Sequence, residues 1–134
     1  KDFRKGEEQP RYKHATERSS LRVRGVDVSK SDVMMSDICK SDHNHFAGIT
    51  LYSPKYQDKA ERLLRSCARV GICCKATLLP ANTFGPKAKE GSEAFRYEAI
   101  SLKPSFILNE LESTQLPVVF LDTDMEFHSF PHLF

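Results

Sequence analysis

The feature of this sequence that most restricts its fold is a continuous apolar run, residues 116–121 (LPVVFL), followed directly by Asp122, Thr123 and Asp124. A strand with one face in the core alternates apolar and polar residues, whereas this run is apolar at consecutive positions. Burial on both faces is typical of a central strand in a parallel sheet that helices cover on both sides. We therefore expect an α/β fold in which residues 122–124 follow the carboxyl end of a buried strand.

Two further strands and a helix are predicted upstream of this run. Residues 46–52 (FAGITLY) are apolar and β-branched, which favours a buried strand. The pair Ser53-Pro54 then predicts a helix start, because Ser caps helices and Pro is favoured in the first turn. Apolar residues continue at helical spacing as far as Gly71, a typical helix end. Residues 72–79 predict the second strand.

The segment between the second and third strands is predicted to hold a loop, residues 80–92, and two helical stretches. The first stretch is 92–102. Because Pro104 disfavours the helical conformation at Lys103, we expect a bend there before a second stretch through Leu111. The order of elements along the chain is thus strand, helix, strand, two helical stretches and strand. This order predicts a Rossmann-like parallel sheet of about three strands with flanking helices. In such sheets ligands bind beyond the carboxyl ends of the strands.

Residues 1–45 are predicted to form a polar, basic and flexible tail or stem, and residues 46–134 the single folded domain. Residues 1–30 carry nine basic and five acidic side chains and few apolar ones, a composition that rarely builds a core. The formal charge of the 134-residue chain is only +2, which gives no argument for nucleic-acid binding. No run reaches the ~18 apolar residues of a membrane-spanning helix, so no membrane segment is predicted. These features do not indicate the cellular compartment of the protein.

The four cysteines, Cys39, Cys67, Cys73 and Cys74, lack the C-x-x-C spacing and the paired histidines of a zinc site. We expect them instead to behave as small apolar residues. In that interpretation Cys67 packs on the first helix, and either Cys73 or Cys74 faces the core from the second strand.

The two aspartates after the last strand have the spacing of a metal site. Carboxylates at i and i+2 can meet one divalent cation, with diphosphate oxygens and water as its remaining ligands. Burying Asp122 and Asp124 without a cation or hydrogen-bond donors would be costly. The structural alternative is an Asx-type turn that caps the strand end, and a D-x-D triplet on its own also arises by chance.

Several segments together resemble the GT-A-fold nucleotide-diphospho-sugar glycosyltransferases, including the glycogenin-like and galacturonosyltransferase-like group. The resemblance covers residues 46–134, which correspond to the nucleotide-binding half of those enzymes. The matching segments are 103–108 (KPSFIL), 118–124 (VVFLDTD), 131–134 (PHLF), the first strand, Tyr56 and 63–66 (LLRS).

The resemblance implies a metal-dependent transferase that moves a sugar from a nucleotide-diphospho-sugar, with a UDP-sugar as the expected donor, to an unknown glycan or protein acceptor. It puts Asp122 and Asp124 on a divalent metal, expected to be Mn²⁺, and Asp122 also on the donor ribose. Thr50, Tyr52 and Lys103 are the further candidate donor-binding residues, and no catalytic residue is assigned. The Golgi or the secretory lumen is the compartment that the resemblance implies.

The candidate donor residues also have plainer interpretations. Tyr52 could stack on uracil, or it could pack in the core or at its rim, as strand-end aromatics commonly do. Lys103 could add positive charge near the donor, or it could be a solvated surface lysine. Arg96 could reach a phosphate with two hydrogen bonds, or it could be an ordinary surface arginine.

Two other functions compete with sugar transfer. Phosphatases and phosphotransferases of the haloacid dehalogenase kind also place D-x-D after an apolar strand, but they follow it with a small Thr or Val where this chain has Glu126. A nucleotide-binding remnant or an interaction domain is the third hypothesis, because a three-stranded sheet leaves an edge and a face poorly covered. Since the sequence stops ten residues after Asp124, before an acceptor-binding half, we expect this piece to be inactive by itself.

Overall fold

The computed structural model describes residues 22–23, 26–27, 32–40 and 44–131. They form β1 (Arg22–Val23), β2 (Val26–Asp27), β3 (Val33–Met35), β4 (Ala47–Tyr52), α1 (Gln57–Val70), β5 (Cys73–Leu78), α2 (Glu93–Thr114) and β6 (Val118–Phe120). Short 3-10 helices lie at Asp37–Lys40 and Pro54–Tyr56. β1 and β2 pair with each other as a short antiparallel ribbon, and among the described strands they have no other partner.

The main sheet has four strands in the spatial order β3-β5-β4-β6. β4 runs parallel to both of its neighbours, with Ala47 opposite Cys73 on one side and opposite Val118 on the other. β3 runs antiparallel to β5. The predicted α/β class is therefore confirmed, but the sheet is mixed rather than a wholly parallel sheet of the Rossmann type. The strand that the apolar run predicted to be central and buried on both faces, β6, lies instead at an edge of the sheet, and its three residues are only partly buried.

The antiparallel strand β3 lies in the segment that the sequence analysis assigned to the tail. Its three residues are too few to show a period, so the sequence pattern did not predict it. Ser36 extends the pairing, because its hydroxyl donates to the Ile72 carbonyl and accepts from the Cys74 N–H, each at 3.0 Å. The folded domain thus includes residues before Phe46, while much of the predicted tail lies outside the described residues.

α1 forms where the apolar spacing predicted a helix, and it covers one face of the sheet. Ser53 and Pro54 open a 3-10 turn that leads into it. The helix ends at Gly71, whose φ of +86° is left-handed and whose N–H donates to the carbonyl of Cys67 at 2.9 Å. The buried side chains of α1 are Ala60, Leu63, Leu64, Ser66 and Cys67.

α2 is one helix of 22 residues, so the predicted bend at Lys103 and the division into two helices are wrong. Pro104 has no N–H, so the Ile100 carbonyl lacks its usual helical hydrogen bond. Both residues are exposed, so water can donate to that carbonyl instead. Buried side chains on both sides of the proline hold the helix against the sheet, namely Phe95, Leu102 and Phe106. Among the described helices, α2 included, none combines the length and the apolarity that crossing a bilayer requires.

The adjacent residues Cys73 and Cys74 form disulfides on opposite faces of the sheet. Cys73 is bonded to Cys39 of the 3-10 helix Asp37–Lys40, and Cys74 is bonded to Cys67 of α1. All four side chains are buried, as expected for small apolar residues, but they are paired rather than free thiols. The prediction that one of Cys73 and Cys74 faces the core needs correction, because successive strand residues point to opposite faces and both faces are covered.

A buried ion pair joins β5 to α2. Lys75 Nζ lies 2.6 Å from Glu110 Oε1, and the two side chains are only 2% and 7% exposed. Breaking such a pair is strongly destabilising, because it leaves an uncompensated buried charge. The pair therefore selects the rotation of α2 about its axis that turns Glu110 toward the sheet.

We predict that loss of the Cys39–Cys73 disulfide destabilises the fold more than loss of the Cys67–Cys74 disulfide. The bridges span 34 and 7 residues, and the unfolded-state entropy that each removes corresponds to about 4 and about 2 kcal/mol. Urea unfolding of the Cys39→Ser, Cys73→Ser double variant and the Cys67→Ser, Cys74→Ser double variant measures both effects. Equal free energies of unfolding for the two double variants would contradict the prediction.

Candidate functional site

A cleft of about 600 Å³ opens at the carboxyl ends of β4 and β6. The last residue of β6, Phe120, pairs with Ile49 in the middle of β4, so β4 extends beyond its neighbour. The first half of α2 forms one wall of the resulting hollow, and the residues after β6 form another. The cleft brings together all five sequence-predicted site residues, Thr50, Tyr52, Lys103, Asp122 and Asp124.

The acidic pair is positioned by the residue before it. Leu121 is 3% exposed, and its N–H donates to the Ile49 carbonyl at 2.8 Å. Its side chain occupies the space over Gly48, where an added Cβ would lie 2.7 Å from Leu121 Cδ1. Because Gly48 leaves that space open, the chain stays close to β4 until Asp122 and only then leaves the sheet.

Asp122 and Asp124 are exposed at the mouth of the cleft. The turn that holds them is closed by the backbone, since the Met125 N–H donates to the Asp122 carbonyl at 3.0 Å. Within the described residues, no side-chain hydrogen bond or ion pair involves either carboxylate, so the Asx-type turn predicted as the alternative does not form there. Both carboxylates are left with their oxygens directed to solvent or to a ligand.

Two cationic side chains of α2 line the same cleft. Lys103 is half-buried, and its Nζ lies 4.6 Å from the centre of the Phe120 ring. The contact fixes the ammonium group at the end of β6 by a cation–π interaction. Arg96 lies two helical turns nearer the start of α2 and is exposed on the same wall.

Thr50 and Tyr52, at the end of β4, expose little surface to the cleft. Thr50 is 1% exposed, and its hydroxyl donates weakly to the Leu51 carbonyl at 3.4 Å. The ring of Tyr52 packs in the core beneath α1 with Ala60 and Leu63, and it is 5% exposed. Most of the Tyr52 ring is therefore packed in the core, and only a small part of the residue borders the cleft.

Two carboxylates fit a divalent cation that completes its coordination with ligand oxygens. Within the described residues, no group of three or more His, Cys, Asp and Glu side chains converges as a metal site. Oxygen donors are what Mg²⁺ and Mn²⁺ prefer, and such ions commonly combine one or two carboxylates with phosphate oxygens and water. The donor set therefore suits a cation that arrives with a phosphate ligand.

The N-terminal end of α2 was not among the site elements predicted from the sequence. Gly91 and Ser92 line the cleft, and Ser92 Oγ accepts a hydrogen bond from the Phe95 N–H at 3.1 Å. The sequence predicted a helix start at residue 92, but only the arrangement of the elements places this end of the helix beside the cleft that the two acids line. The positive end of the helix dipole favours an anion there.

Glu126 occupies the position where a haloacid-dehalogenase-like enzyme would carry a small residue. Its carboxylate lies 3.9 Å from Arg62 and 3.9 Å from Arg69, both on α1. The side chain is therefore directed to α1, and it does not line the cleft.

Comparison of the chain with protein-family models, curated proteins and solved structures finds no match. The family resemblance thus rests on the motifs of the sequence.

We predict that the stability of the protein falls more steeply above pH 10 than that of a Tyr52→Phe variant. Burial, with added repulsion from Asp32 and Glu61, raises the pKa of Tyr52 above its ordinary value of 10.0. Above that value the unfolded chain ionises this tyrosine while the folded state keeps it neutral, so the stabilisation is lost as the pH rises through the folded pKa. Urea unfolding at about pH 9 and about pH 11 measures the difference. Tyr56→Phe, at an exposed position, is the control, and identical pH dependence in all three proteins would contradict the prediction.

Proposed function

We propose that the cleft binds the diphosphate of a nucleotide-diphospho-sugar together with a divalent metal, Mn²⁺ or a similar ion, and that it serves sugar transfer. One observation carries the proposal. Two carboxylates without a partner in the described residues share one hollow with Lys103, Arg96 and the first turn of α2. That combination supports a ligand that is itself both cationic and anionic, such as a metal–diphosphate complex.

The residues of the cleft have complementary roles in this proposal. Asp122 and Asp124 hold the metal, and Asp122 also reaches the ribose. Lys103 and Arg96 approach the phosphates from the opposite wall, while the backbone at Thr50 and Tyr52 borders the nucleoside. These positions follow the order in which the elements meet at the carboxyl ends of β4 and β6.

The chemistry needs positive charge at the diphosphate. When the bond between the sugar and the phosphate breaks, the departing nucleoside diphosphate carries additional negative charge. A divalent cation bound there would offset that charge as it develops. Lys103, held over Phe120, adds a fixed charge on the α2 side, and it needs little rearrangement to do so.

The proposal includes an oxidising compartment, the Golgi or the secretory lumen. Disulfides persist in such compartments and are rare in the cytosol. The two buried disulfides of this chain support that assignment. The acceptor, a glycan or a protein, is left open.

We predict that UDP binds in the presence of Mn²⁺ and that Asp124→Asn weakens this binding at least about 100-fold, because one of two protein ligands to the metal is lost. Isothermal titration of UDP with and without Mn²⁺ measures both effects. Asp58→Asn is the matched control, since Asp58 is an exposed acid of α1 outside the cleft. Equal UDP affinity with and without Mn²⁺, or equal affinity in Asp124→Asn, would count against the proposal.

A second candidate function is association between two copies of the chain, and the outer face of α2 favours it. Tyr97, Ile100, Leu108 and Leu111 are between 43% and 64% exposed, and Ile100 also borders the cleft. They lie symmetrically about Pro104, so that in an antiparallel pair Tyr97 meets Leu111 and Ile100 meets Leu108. The four side chains expose on the order of 400 Å², and a twofold pair would cover about 800 Å² in total, the size of a weak interface.

For this second candidate, we predict a concentration-dependent dimer that Leu108→Asp disrupts. A charge at position 108, opposite Ile100 of the second copy, would be buried without a partner in the pair. Sedimentation velocity over a range of protein concentrations detects the dimer, and Ala81→Asp, which adds the same charge at an exposed position outside α2, is the control. A monomer at every concentration would remove this candidate and leave the nucleotide proposal unaffected.

A further inference from the structure

Three side chains of α1 hold the segment that carries the acidic pair. Arg62, Ser66 and Arg69 are spaced at i, i+4 and i+7, so they form one row along the helix. The row faces residues 124–127, to whose backbone each of the three side chains bonds. We call Arg62, Ser66 and Arg69 the α1 row.

Ser66 is the buried member of the row. Its side chain is at the centre of the contact, and the residue is 0% exposed. The hydroxyl donates to the Leu63 carbonyl at 2.7 Å and accepts from the Phe127 N–H at 3.0 Å. The donor and one acceptor position of the hydroxyl are thus used, and they tie the Phe127 backbone to the helix.

The two arginines bind the segment on either side of that point. Arg62 Nη2 donates to the Asp124 carbonyl at 3.1 Å, and Arg69 Nη2 donates to the Phe127 carbonyl at 2.8 Å. Glu126 lies between them as an ion-pair partner of both. The backbone of residues 124–127 is therefore held at three points, one of them at Asp124 itself.

We propose that the α1 row is a set of positioning residues that orients the carboxylates of Asp122 and Asp124 toward the cleft. Within the described residues, none of the three side chains makes a hydrogen bond or an ion pair with either carboxylate. They act on the backbone that carries those groups. The inference rests on the proposed metal–diphosphate function of the cleft, and it adds the residues that make the two acids a preorganised pair.

Positioning matters because a metal ion accepts its ligands only within a small range of distances and angles. Ligands that are held close to their bound positions bind without a further ordering cost, and groups behind the ligands commonly change metal affinity 10–100-fold. Exposed acids in a short turn would otherwise sample several orientations. A backbone held on both sides of Glu126 restricts that sampling and leaves the carboxylate oxygens free for the cation.

Removal of Arg62 separates positioning from simple electrostatics, because the two effects have opposite signs. Arg62 is a cation near an acidic segment, so Coulomb interactions alone predict that its loss tightens Mn²⁺ binding. Loss of positioning predicts weaker binding. Arg65→Ala is the matched control, because it removes the same charge from an exposed position of the same helix without a contact to residues 124–127.

The experiment measures Mn²⁺ binding, with and without UDP, for the wild-type chain and for Arg62→Ala, Arg62→Lys, Glu126→Gln and Arg65→Ala. We expect Arg62→Ala to weaken Mn²⁺ binding about tenfold and Arg62→Lys to restore most of it, since lysine can also donate to the Asp124 carbonyl. Glu126→Gln should also weaken binding, but loss of its negative charge alone predicts the same result, so the Arg62 variants are the ones that separate the two effects. Hydrogen exchange of the Phe127 amide should accelerate in Arg62→Ala, while the melting temperature changes by no more than about 3 °C.

The outcomes separate this inference from the function on which it rests. If the wild-type chain binds Mn²⁺ and Arg62→Ala binds it equally well or more tightly, the positioning role is wrong and the proposed function stands. If Arg65→Ala weakens binding as much as Arg62→Ala, the effect follows from truncating any arginine of α1 and not from contact with residues 124–127, and the positioning role is again wrong. If the wild-type chain does not bind Mn²⁺ even with UDP, the proposed function fails and this inference fails with it.

Discussion

The structure depends on two disulfides formed by adjacent residues of the central strand β5, one on each face of the sheet. Cys73 ties β5 to the 3-10 helix that follows β3, and Cys74 ties it to α1. A small domain buries little apolar surface, so burial alone gives it limited stability. Covalent bonds from β5 to the layers on both faces of the sheet add to that stability. β5 is thereby fixed between the layers that cover it. β4 pairs with β5 over six residues, so its position is fixed as well.

The same constraint extends to the acidic pair through a short series of contacts. An added Cβ at Gly48 of β4 would lie 3.0 Å from Cys74 Sγ and 2.7 Å from Leu121 Cδ1, so the disulfide and Leu121 share the space above this glycine. Leu121 in turn precedes Asp122. A side chain at position 48 would therefore displace either the disulfide or the strand end that leads to the site, which gives the glycine a role that its sequence context does not reveal.

Sequence patterns predicted the parts of the fold that have enough length to show a period or a clear end. The parallel strands at 47–52, 73–78 and 118–120 and the helix ending at Gly71 all have such signals, and the five predicted site residues meet because parallel strands end at one edge. β3 and the disulfide pairing depend on contacts between distant residues, so local patterns do not encode them. Pro104 misled the prediction because local preference disfavours a helix there, whereas buried side chains on both sides maintain one.

The balance of charge within the cleft argues for a metal–diphosphate ligand over its separate components. A free nucleotide would meet two carboxylates that repel it. A free cation would meet, among the described residues of the cleft, only two carboxylate ligands, and Lys103 and Arg96 would repel it. A cation bound to a diphosphate presents positive charge to Asp122 and Asp124 and negative oxygens to the opposite wall. Each wall would then meet the charge that it can stabilise, which is why we propose metal and diphosphate together as the ligand rather than either one alone.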